Sequence, residues 1–311
     1  MTAAASVTLR LGIDLGGTKI AGVALAPGDH IASESRMPTP RQDYAATLQA
    51  ITEMIDGLER DAGARGSVGI GVPGSLSPVT GSIQNANSTW LNGQPFARDL
   101  EARLGRRVRL ANDANCFALS EAADGAGAGA RSVFGVILGT GCGGGLVFEG
   151  KLIDGPNSIG GEWGHNPLPW AGAGEHPGPL CWCGRHGCIE AWVSGPGLEA
   201  DHARTTGSQL GCEDIANAAG SGDRDARATL TRHVGRLARG LAHVVNIFDP
   251  EVIVLGGGLS KLMHLYDELP GIISSHVFAD RPRVSIRPPR WGDTSGVRGA
   301  ARLWSQGEAG G

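Results

Sequence analysis

The stretch Val7-Thr8-Leu9-Arg10-Leu11-Gly12-Ile13-Asp14-Leu15-Gly16-Gly17-Thr18-Lys19-Ile20 decides the fold at the start of the chain. Its apolar first half predicts a buried β-strand that ends near Asp14. A glycine turn then leads into a second apolar run that ends at Leu25, so the pattern indicates a β-hairpin rather than a strand followed by a helix. Glycines at a strand end expose backbone N–H groups to an anion. The predicted phosphate-binding residues are Asp14, Gly16, Gly17, Thr18 and Lys19.

The same segment also has a simpler interpretation, a tight hairpin turn without a ligand. It is not a Walker A loop, because Thr18 stands where that motif requires lysine. A second strand, turn and strand over residues 132–148 repeats the opening pattern and indicates duplication of one domain type. A third glycine group follows the predicted strand Val252–Leu255. Together these turns favour a nucleotide site, with predicted contacts from Gly139, Thr140, Gly141, Gly256, Gly257 and Gly258.

The second turn also resembles a dinucleotide-binding fingerprint. Gly139, Gly141 and Gly144 have the G-x-G-x-x-G spacing, and Glu162 lies near the distance expected of a ribose-binding acid. That motif requires a helix after the turn, whereas residues 143–148 favour a strand. We therefore do not expect a dehydrogenase.

Bulk composition excludes several classes of protein. The chain has 311 residues, enough for two domains, with 41% apolar residues. Its formal net charge is -4 and its pI is about 6.1, so no nucleic-acid partner is expected. No apolar run is long enough to span a membrane. The first residues lack the features of a signal peptide, and we expect a cytoplasmic protein.

The predicted organisation is α/β in two domains. An amphipathic helix is expected over 44–61 and a long polar loop over 75–95 that includes Asn87. A glycine-rich break near Gly125 separates an N-terminal domain, 1–124, from a larger domain, 125–295. A last helix in 296–311 is expected to pack back on the first domain.

Asp113 is the candidate general base. It follows Asn112 at the end of the predicted strand Val108–Ala111, where a carboxylate can accept a proton from a substrate hydroxyl. The alternative is an N-cap aspartate at the start of the next helix, and the two roles are compatible. The predicted phosphate turns favour the catalytic role.

The cysteines indicate a metal site. Cys181, Cys183 and Cys188 form a C-x-C-x₄-C pattern, and three thiolates with one imidazole would make a closed, structural zinc site. His165, His176 and His186 are the possible fourth ligands on spacing alone.

Two glutamates flank this cysteine segment. Glu162 and Glu190 lie among glycine or apolar residues, where carboxylates can accept hydrogen bonds from sugar hydroxyls. The alternative is that both are ordinary surface residues.

These motifs together resemble the family of repressors, open reading frames and kinases, the ROK family. The resemblance runs nearly end to end and rests on Ile13–Lys19, Leu110–Asn115, Gly139–Gly141, Gly161–His165 and Cys183–Glu190. It implies two actin-like, ribonuclease-H-like domains with ATP and sugar in the cleft between them, Mg²⁺ as the companion of ATP, and a homodimer. It also implies zinc on His165, Cys181, Cys183 and Cys188, Asp113 as base, and sugar contacts from Asn87, Asn112, Asp113, Glu162, His165 and Glu190.

Within the family, residues 85–95, 164–170 and 292–299 look like bacterial fructokinases with mannokinase activity. The sequence therefore predicts ATP-dependent phosphorylation of a hexose, with fructose as the first choice of acceptor. N-acetylglucosamine, glucose and mannose are alternative acceptors. A sugar-sensing repressor is the rival from another class, but the residues before Asp14 are too few for a helix-turn-helix. An inactive sugar-binding protein is a further rival, which an intact Asp113 disfavours.

Overall fold

The computed structural model describes residues 9–305. The chain forms two compact units. One unit extends to Ser120 and also includes residues 154–160 and the segment that begins at Asp293. The other contains residues 121–153 and 161–292. The first change of unit falls between residues 120 and 121. The domain boundary at 124/125 stays a prediction, and the short segment 154–160 had no counterpart in it.

The first unit begins with a five-stranded sheet and its helices. In chain order the elements are β1 (Leu9–Leu15), β2 (Lys19–Leu25), β3 (Ile31–Pro38), α1 (Tyr44–Ala62), β4 (Gly66–Val72), β5 (Ser75–Leu76), β6 (Ile83–Gln84), α2 (Phe96–Leu104), β7 (Val108–Asn112) and α3 (Asp113–Asp124). The hairpin predicted at the start of the chain is present, because β1 and β2 pair antiparallel. The face of α1 predicted to be apolar is buried at Leu48, Ile51, Ile55 and Leu58.

The second unit repeats this arrangement. Its elements are β8 (Ser132–Leu138), β9 (Cys142–Phe148), β10 (Lys151–Leu152), α4 (Glu190–Val193), α5 (Gly195–Thr206), α6 (Cys212–Gly220), α7 (Arg224–Phe248), β11 (Val252–Gly256), α8 (His264–Ser274) and β12 (Ile286–Arg287). The chain then returns to the first unit through α9 (Ser295–Ala301). Short 3₁₀ turns lie at Pro27–Asp29, Thr89–Leu91, Ala173–Glu175, Gly258–Lys261 and Gly292–Thr294.

The two large sheets have the same topology. The strand orders are β3-β2-β1-β4-β7 and β10-β9-β8-β11-β12. In each sheet the first three strands pair antiparallel and the rest pair parallel. This repetition confirms the duplication indicated by the two strand–turn–strand segments. The helix α9 packs on β1, β2 and β4.

Each unit has its own apolar core. The first core lies between the sheet and helices α1 and α2, and the second surrounds β8, β11 and the long helix α7. Asp43 caps α1 and Asp223 caps α7, in both cases by accepting a backbone N–H from three residues further on. Within residues 9–305, no helix has both the length and the apolar character that crossing a membrane requires.

Candidate active site

The first glycine turn joins β1 to β2, and its predicted phosphate-binding residues lie at one strand end. Gly17, Thr18 and Lys19 are exposed, so this turn is open to a ligand. The Thr39 hydroxyl donates to the Gly16 carbonyl oxygen at 2.7 Å. The Arg41 Nε donates to the Gly17 carbonyl oxygen at 3.0 Å. These two hydrogen bonds, from side chains that follow β3, hold the backbone of the turn in place.

Asp14 lies beneath this turn and carries a perturbed carboxyl group. Burial raises its pKa to about 7, the negative charge of Asp113 adds to the rise, and Lys19 opposes it. Gly296 makes room for the carboxylate, because a Cβ atom there would lie 2.9 Å from Asp14 Oδ2. The close pair of acidic groups suits a site that receives a cation.

This pKa predicts a pH-dependent effect of Asp14→Asn on stability. A raised carboxyl pKa in the folded protein contributes stability below about pH 4, and that contribution is lost as the pH rises through about 7. Above pH 7 the wild type therefore retains a buried charge that Asp14→Asn removes. We compare the free energy of unfolding of the variant with that of the wild type at each pH. The variant's advantage should be on the order of 2–4 kcal/mol larger at pH 8 than at pH 4. Urea unfolding at both values measures this.

The matched control is Asp56→Asn, which changes an exposed aspartate on α1 of the same unit. An Asp14→Asn difference that is the same at pH 4 and pH 8 would contradict the assignment of the perturbed carboxyl group to Asp14.

Asn112 and Asp113 stand where β7 ends and α3 begins. Oδ1 of each side chain accepts the Ala114 backbone N–H, at 2.9 and 2.8 Å. The Asn112 amide also donates to the Gly74 carbonyl oxygen at 2.9 Å. Burial raises the pKa of Asp113, while hydrogen bonds from Ala114 and Asn112 lower it. The Asp113 carboxylate therefore binds a backbone amide in the first turn of α3 and has a raised pKa, while its role as general base stays a prediction.

The segment 75–95 is more ordered than the predicted loop. It contains the small hairpin β5–β6 and a 3₁₀ turn. The Asn92 side chain closes it by accepting the Ala86 N–H at 2.8 Å and donating to the Ala86 carbonyl oxygen at 2.9 Å. Asn87, a predicted sugar contact, follows this clamp directly and is exposed. Sequence reasoning missed the clamp, since it depends on a contact that the spacing does not reveal.

In the second unit, the Gly139–Gly141 turn joins β8 to β9, so a strand follows it rather than a helix. This confirms that the dinucleotide fingerprint does not apply. The Gly139 carbonyl oxygen accepts the Gly195 N–H at 2.8 Å, which brings the turn to the start of α5. Gly257 has φ of +79°, and a Cβ atom there would collide with the Leu138 backbone. Only glycine allows this close approach of the third turn to the second.

A cavity of about 870 Å³ opens beside these turns. That volume is within the range of small-molecule and cofactor sites. Its walls come from the second turn, the starts of α5 and α6, and the 3₁₀ turn after β11. The lining residues are Gly139, Thr140, Gly195, Pro196, Glu199, Cys212, Glu213, Ala216, Asn217, Gly258, Leu259, Lys261 and Leu262.

Most of this lining was absent from the sequence prediction, which named only Gly139, Thr140 and Gly258 of it. The signal that was available is Ser194-Gly195-Pro196, an N-cap followed by proline in the first turn, which marks a helix start. A hydrogen bond joins two of the lining residues: the Cys212 backbone N–H donates to Glu199 Oε1 at 3.1 Å. Burial and this neighbouring carboxylate raise the pKa of the Cys212 thiol to about 12.

The predicted zinc ligands come together in the second unit. One ligand atom from each of His165, Cys181, Cys183 and Cys188 lies within 4.8 Å of all the others. His165 Nδ1 is 3.6 Å from Cys181 Sγ, and Cys183 Sγ is 3.6 Å from Cys188 Sγ. Ligands of a tetrahedral zinc ion with Zn–S bonds of ~2.3 Å lie ~3.7 Å apart, so the donor set and its spacing fit zinc.

His186, another of the possible fourth ligands, contacts a backbone carbonyl group instead of the cysteines. His186 Nδ1 faces the Gly178 carbonyl oxygen at 3.1 Å. The geometry therefore favours His165, which the family resemblance had implied and the spacing had left open.

The insert between His165 and Cys181 is tied to α7 by one carboxylate. Glu175 accepts hydrogen bonds from Arg236 Nε at 2.8 Å and from both terminal nitrogens of Arg239, at 2.8 and 2.7 Å. These two arginines hold the pKa of Glu175 at about 2, against the opposing effect of burial. Arg239 also donates to the Trp170 carbonyl oxygen at 2.7 Å. The insert 171–179, which is rich in glycine and proline and to which the sequence assigns no role, thus anchors the cysteine segment to α7 through Glu175.

The two glutamates predicted as sugar contacts differ in setting. Glu162 is exposed beside the buried Trp163. Glu190 is the first residue of α4 and is half-buried, with Oε2 accepting the Cys142 N–H at 2.8 Å. Glu190 thereby joins the end of the cysteine segment to the second glycine turn.

Comparison with known proteins identifies the family. The model of the ROK family matches residues 10–307. N-acetyl-D-glucosamine kinases from Shigella boydii serotype 4 and Aliivibrio salmonicida are each 42% identical to this chain, over 94% of it and 98% of their own length. The chain belongs to the ROK family.

Solved structures agree with this assignment. The ROK hexokinase from Thermus thermophilus has a TM-score of 0.85 and 34% identity, covering 94% of this chain and 97% of its own. A ROK family glucokinase from Streptomyces griseus, in complex with glucose and AMPPNP, has a TM-score of 0.78 and 30% identity, covering 96% and 100%. The actin-like fold and the class predicted from the sequence, a sugar kinase of this family, are confirmed.

Proposed function

We propose that this chain transfers the γ-phosphoryl group of MgATP to a hydroxyl of N-acetyl-D-glucosamine. The observation that carries the acceptor is the 42% identity, over nearly the whole chain, to kinases named for that sugar. Fructose, the acceptor predicted first, has no support from these relatives. N-acetylglucosamine, the alternative acceptor, has that support.

The proposed chemistry places Asp113 as general base. Its carboxylate, held by the Ala114 N–H, accepts the proton of the sugar hydroxyl as that oxygen bonds to the γ-phosphorus, while the bond from the γ-phosphorus to the bridging oxygen breaks and ADP leaves. The residues that the family resemblance implies as sugar contacts, Asn87, Asn112, Glu162, His165 and Glu190, are the ones we propose to bind the sugar hydroxyls. Hydrogen bonds to fixed side chains hold the acceptor in one orientation, which lowers the entropic part of the barrier.

Nucleotide binding is assigned to the glycine turns and the cavity of the second unit. The cavity is the proposed place for the base and ribose, with Gly258 in its wall. Gly256 and Gly257, which precede Gly258 at the end of β11, stay predicted nucleotide contacts. The turns at Gly16–Lys19 and Gly139–Gly141 offer backbone N–H groups to the phosphates. Mg²⁺, when bound, neutralises charge on the phosphate oxygens, and Asp14 is the residue we assign to orient it.

Zinc is proposed as a structural ion on His165, Cys181, Cys183 and Cys188. Four protein ligands leave no open position for a reactive water. Its proposed role is to hold the segment that presents His165 and Glu190. The cytoplasmic location and the homodimer stay predictions.

The test is a coupled ADP-release assay with MgATP and four acceptors: N-acetyl-D-glucosamine, fructose, mannose and glucose. We expect kcat/KM for N-acetyl-D-glucosamine to exceed the others by at least about tenfold, which is a difference of about 1.4 kcal/mol in transition-state binding. A preference for fructose would overturn the acceptor and restore the first prediction. Absence of turnover with all four from folded, zinc-loaded protein would overturn the proposed function.

A further inference from the structure

Trp182 has an unusual setting for a tryptophan. It lies between two cysteines of the metal cluster, and 63% of its surface is exposed. Its indole Nε1 nevertheless donates a hydrogen bond to Glu190 Oε1 at 2.6 Å. Its ring meets the His165 ring edge-on, with centroids 5.1 Å apart. So exposed a ring gains little from burial, and its defined contacts are with two residues of the proposed sugar site.

The other contacts of Glu190 show what this bond does. Oε2 accepts the Cys142 N–H at 2.8 Å, so a backbone amide holds one oxygen of the carboxylate and an indole holds the other. Cys181 Sγ lies 3.9 Å from Oε1. Each carboxylate oxygen accepts about two hydrogen bonds, so Oε2, with one donor, keeps acceptor capacity for a ligand. Oε1 keeps it as well when Cys181 is a zinc-bound thiolate, which has no proton to donate. Two donors therefore fix the direction in which that remaining capacity points.

We propose that Trp182 is a positioning residue for the acceptor sugar: its indole N–H orients Glu190 so that the carboxylate receives the sugar hydroxyls. This rests on the proposed function, in which Glu190 is a sugar contact. Hydrogen bonds to ionised acceptors are the stronger class, and a carboxylate held by one donor instead of two loses orientation. Trp182 thereby acts on acceptor affinity through Glu190, without taking part in proton transfer.

The chain supplies a matched control in Trp170. It lies in the same stretch between His165 and Cys181, and it is 55% exposed. Its ring stacks on His276 with centroids 5.1 Å apart, and its carbonyl oxygen, rather than its indole, is the group that binds Arg239. Replacement of either tryptophan by phenylalanine keeps an aromatic ring and removes one N–H donor.

The first experiment compares Trp182→Phe with Trp170→Phe in the zinc-loaded enzyme. For Trp182→Phe we expect the KM for N-acetyl-D-glucosamine to rise about tenfold, the loss of one hydrogen bond to a charged group. We expect kcat, the KM for MgATP and the zinc content to change less than about twofold. Trp170→Phe should leave all four unchanged. Equal sugar KM values for the two variants would overturn the proposal. A fall in kcat of Trp182→Phe as large as its rise in KM would overturn it as well.

Coupling to Glu190 separates positioning from a general effect on the fold. In the Glu190→Gln background, Trp182→Phe should add less than about twofold to the KM, because the carboxylate it orients is gone. Full additivity of the two substitutions would show that Trp182 does not act through Glu190.

A spectroscopic test gives an answer whether or not the enzyme turns over. In protein labelled with ¹⁵N at the indoles, Trp182→Phe identifies the Trp182 N–H signal. We expect Glu190→Gln to shift that signal without sugar, and N-acetyl-D-glucosamine to shift it in the wild type without nucleotide. Lack of turnover in wild type that still shows both shifts would overturn the kinase function and leave this proposal standing. A signal that neither Glu190→Gln nor any of the four sugars moves would overturn the proposal.

Discussion

Asp113→Asn is expected to lower kcat for sugar phosphorylation by about 10³-fold or more, the usual range for loss of a general base. Asparagine keeps the size of the side chain and an Oδ1 atom that can accept the Ala114 N–H, so α3 should still begin at the same residue. What is lost is the basic oxygen that accepts the hydroxyl proton. We expect the KM values for sugar and MgATP to change only a few-fold, since the steric contacts remain.

The control for this substitution is again Asp56→Asn, which we expect to retain full activity. Circular dichroism and metal analysis check that Asp113→Asn is folded and holds its metal. Turnover of Asp113→Asn within tenfold of the wild type would remove Asp113 from the role of base. The hydrogen bond that its carboxylate accepts from the Ala114 N–H would then be its remaining role.

The pH profile gives a second measure of the same base. Burial raises the pKa of Asp113, and that of the neighbouring Asp14 is raised to about 7. Because the base must be ionised, kcat/KM should fall on the acid side at a pH above the usual range of an aspartate. The two carboxyls interact, so the acid limb belongs to the pair. Asp14→Asn should move that limb to lower pH, since it removes one negative charge beside Asp113.

Local patterns were sufficient to predict the parts of this chain that form locally. The hairpins at Gly16–Lys19 and Gly139–Gly141 follow from apolar segments joined by glycine, and both are present. The apolar positions of α1 recur at helical spacing, and that face is buried. The cysteine spacing gave three of the four members of the metal cluster, and the family resemblance gave His165.

Contacts between distant residues account for what the sequence did not show. The bonds of Glu175 to Arg236 and Arg239 and of Trp182 to Glu190 join side chains whose partnership no spacing rule encodes. The cavity wall from α5 and α6 has the same origin, because it forms only when the helices pack beside the turn. The choice of sugar was the weakest inference. It depended on the appearance of residues 85–95, 164–170 and 292–299. In the first of these segments the Asn92 clamp, rather than a sugar, explains part of the pattern.

Removal of one zinc ligand is the second change with a large expected effect. We expect the purified wild type to contain one zinc per chain, and Cys188→Ser to contain none. Without the ion, three thiols and an imidazole within 4.8 Å of one another lose the bonds that hold them together. We expect a loss of about 3–5 kcal/mol in the free energy of unfolding, which corresponds to a fall in Tm of roughly 5–8 °C in a chain of this size. Metal analysis and thermal melting measure both.

Cys212→Ser is the matched control, because it removes a thiol of the same unit that lies outside the cluster. It should retain its zinc and its Tm. The insert adds a graded test: Glu175 ties the segment between the ligands to Arg236 and Arg239, so residual order in Cys188→Ser should persist near α7 and disappear near Trp182. The loss of order at Trp182 should also raise the KM for the sugar, since Glu190 loses its indole partner. Wild-type protein that binds no zinc and melts identically with and without a strong chelator would show that the cluster is a group of reduced thiols. The orientation of Glu190 would then depend on Trp182 and the Cys142 amide alone.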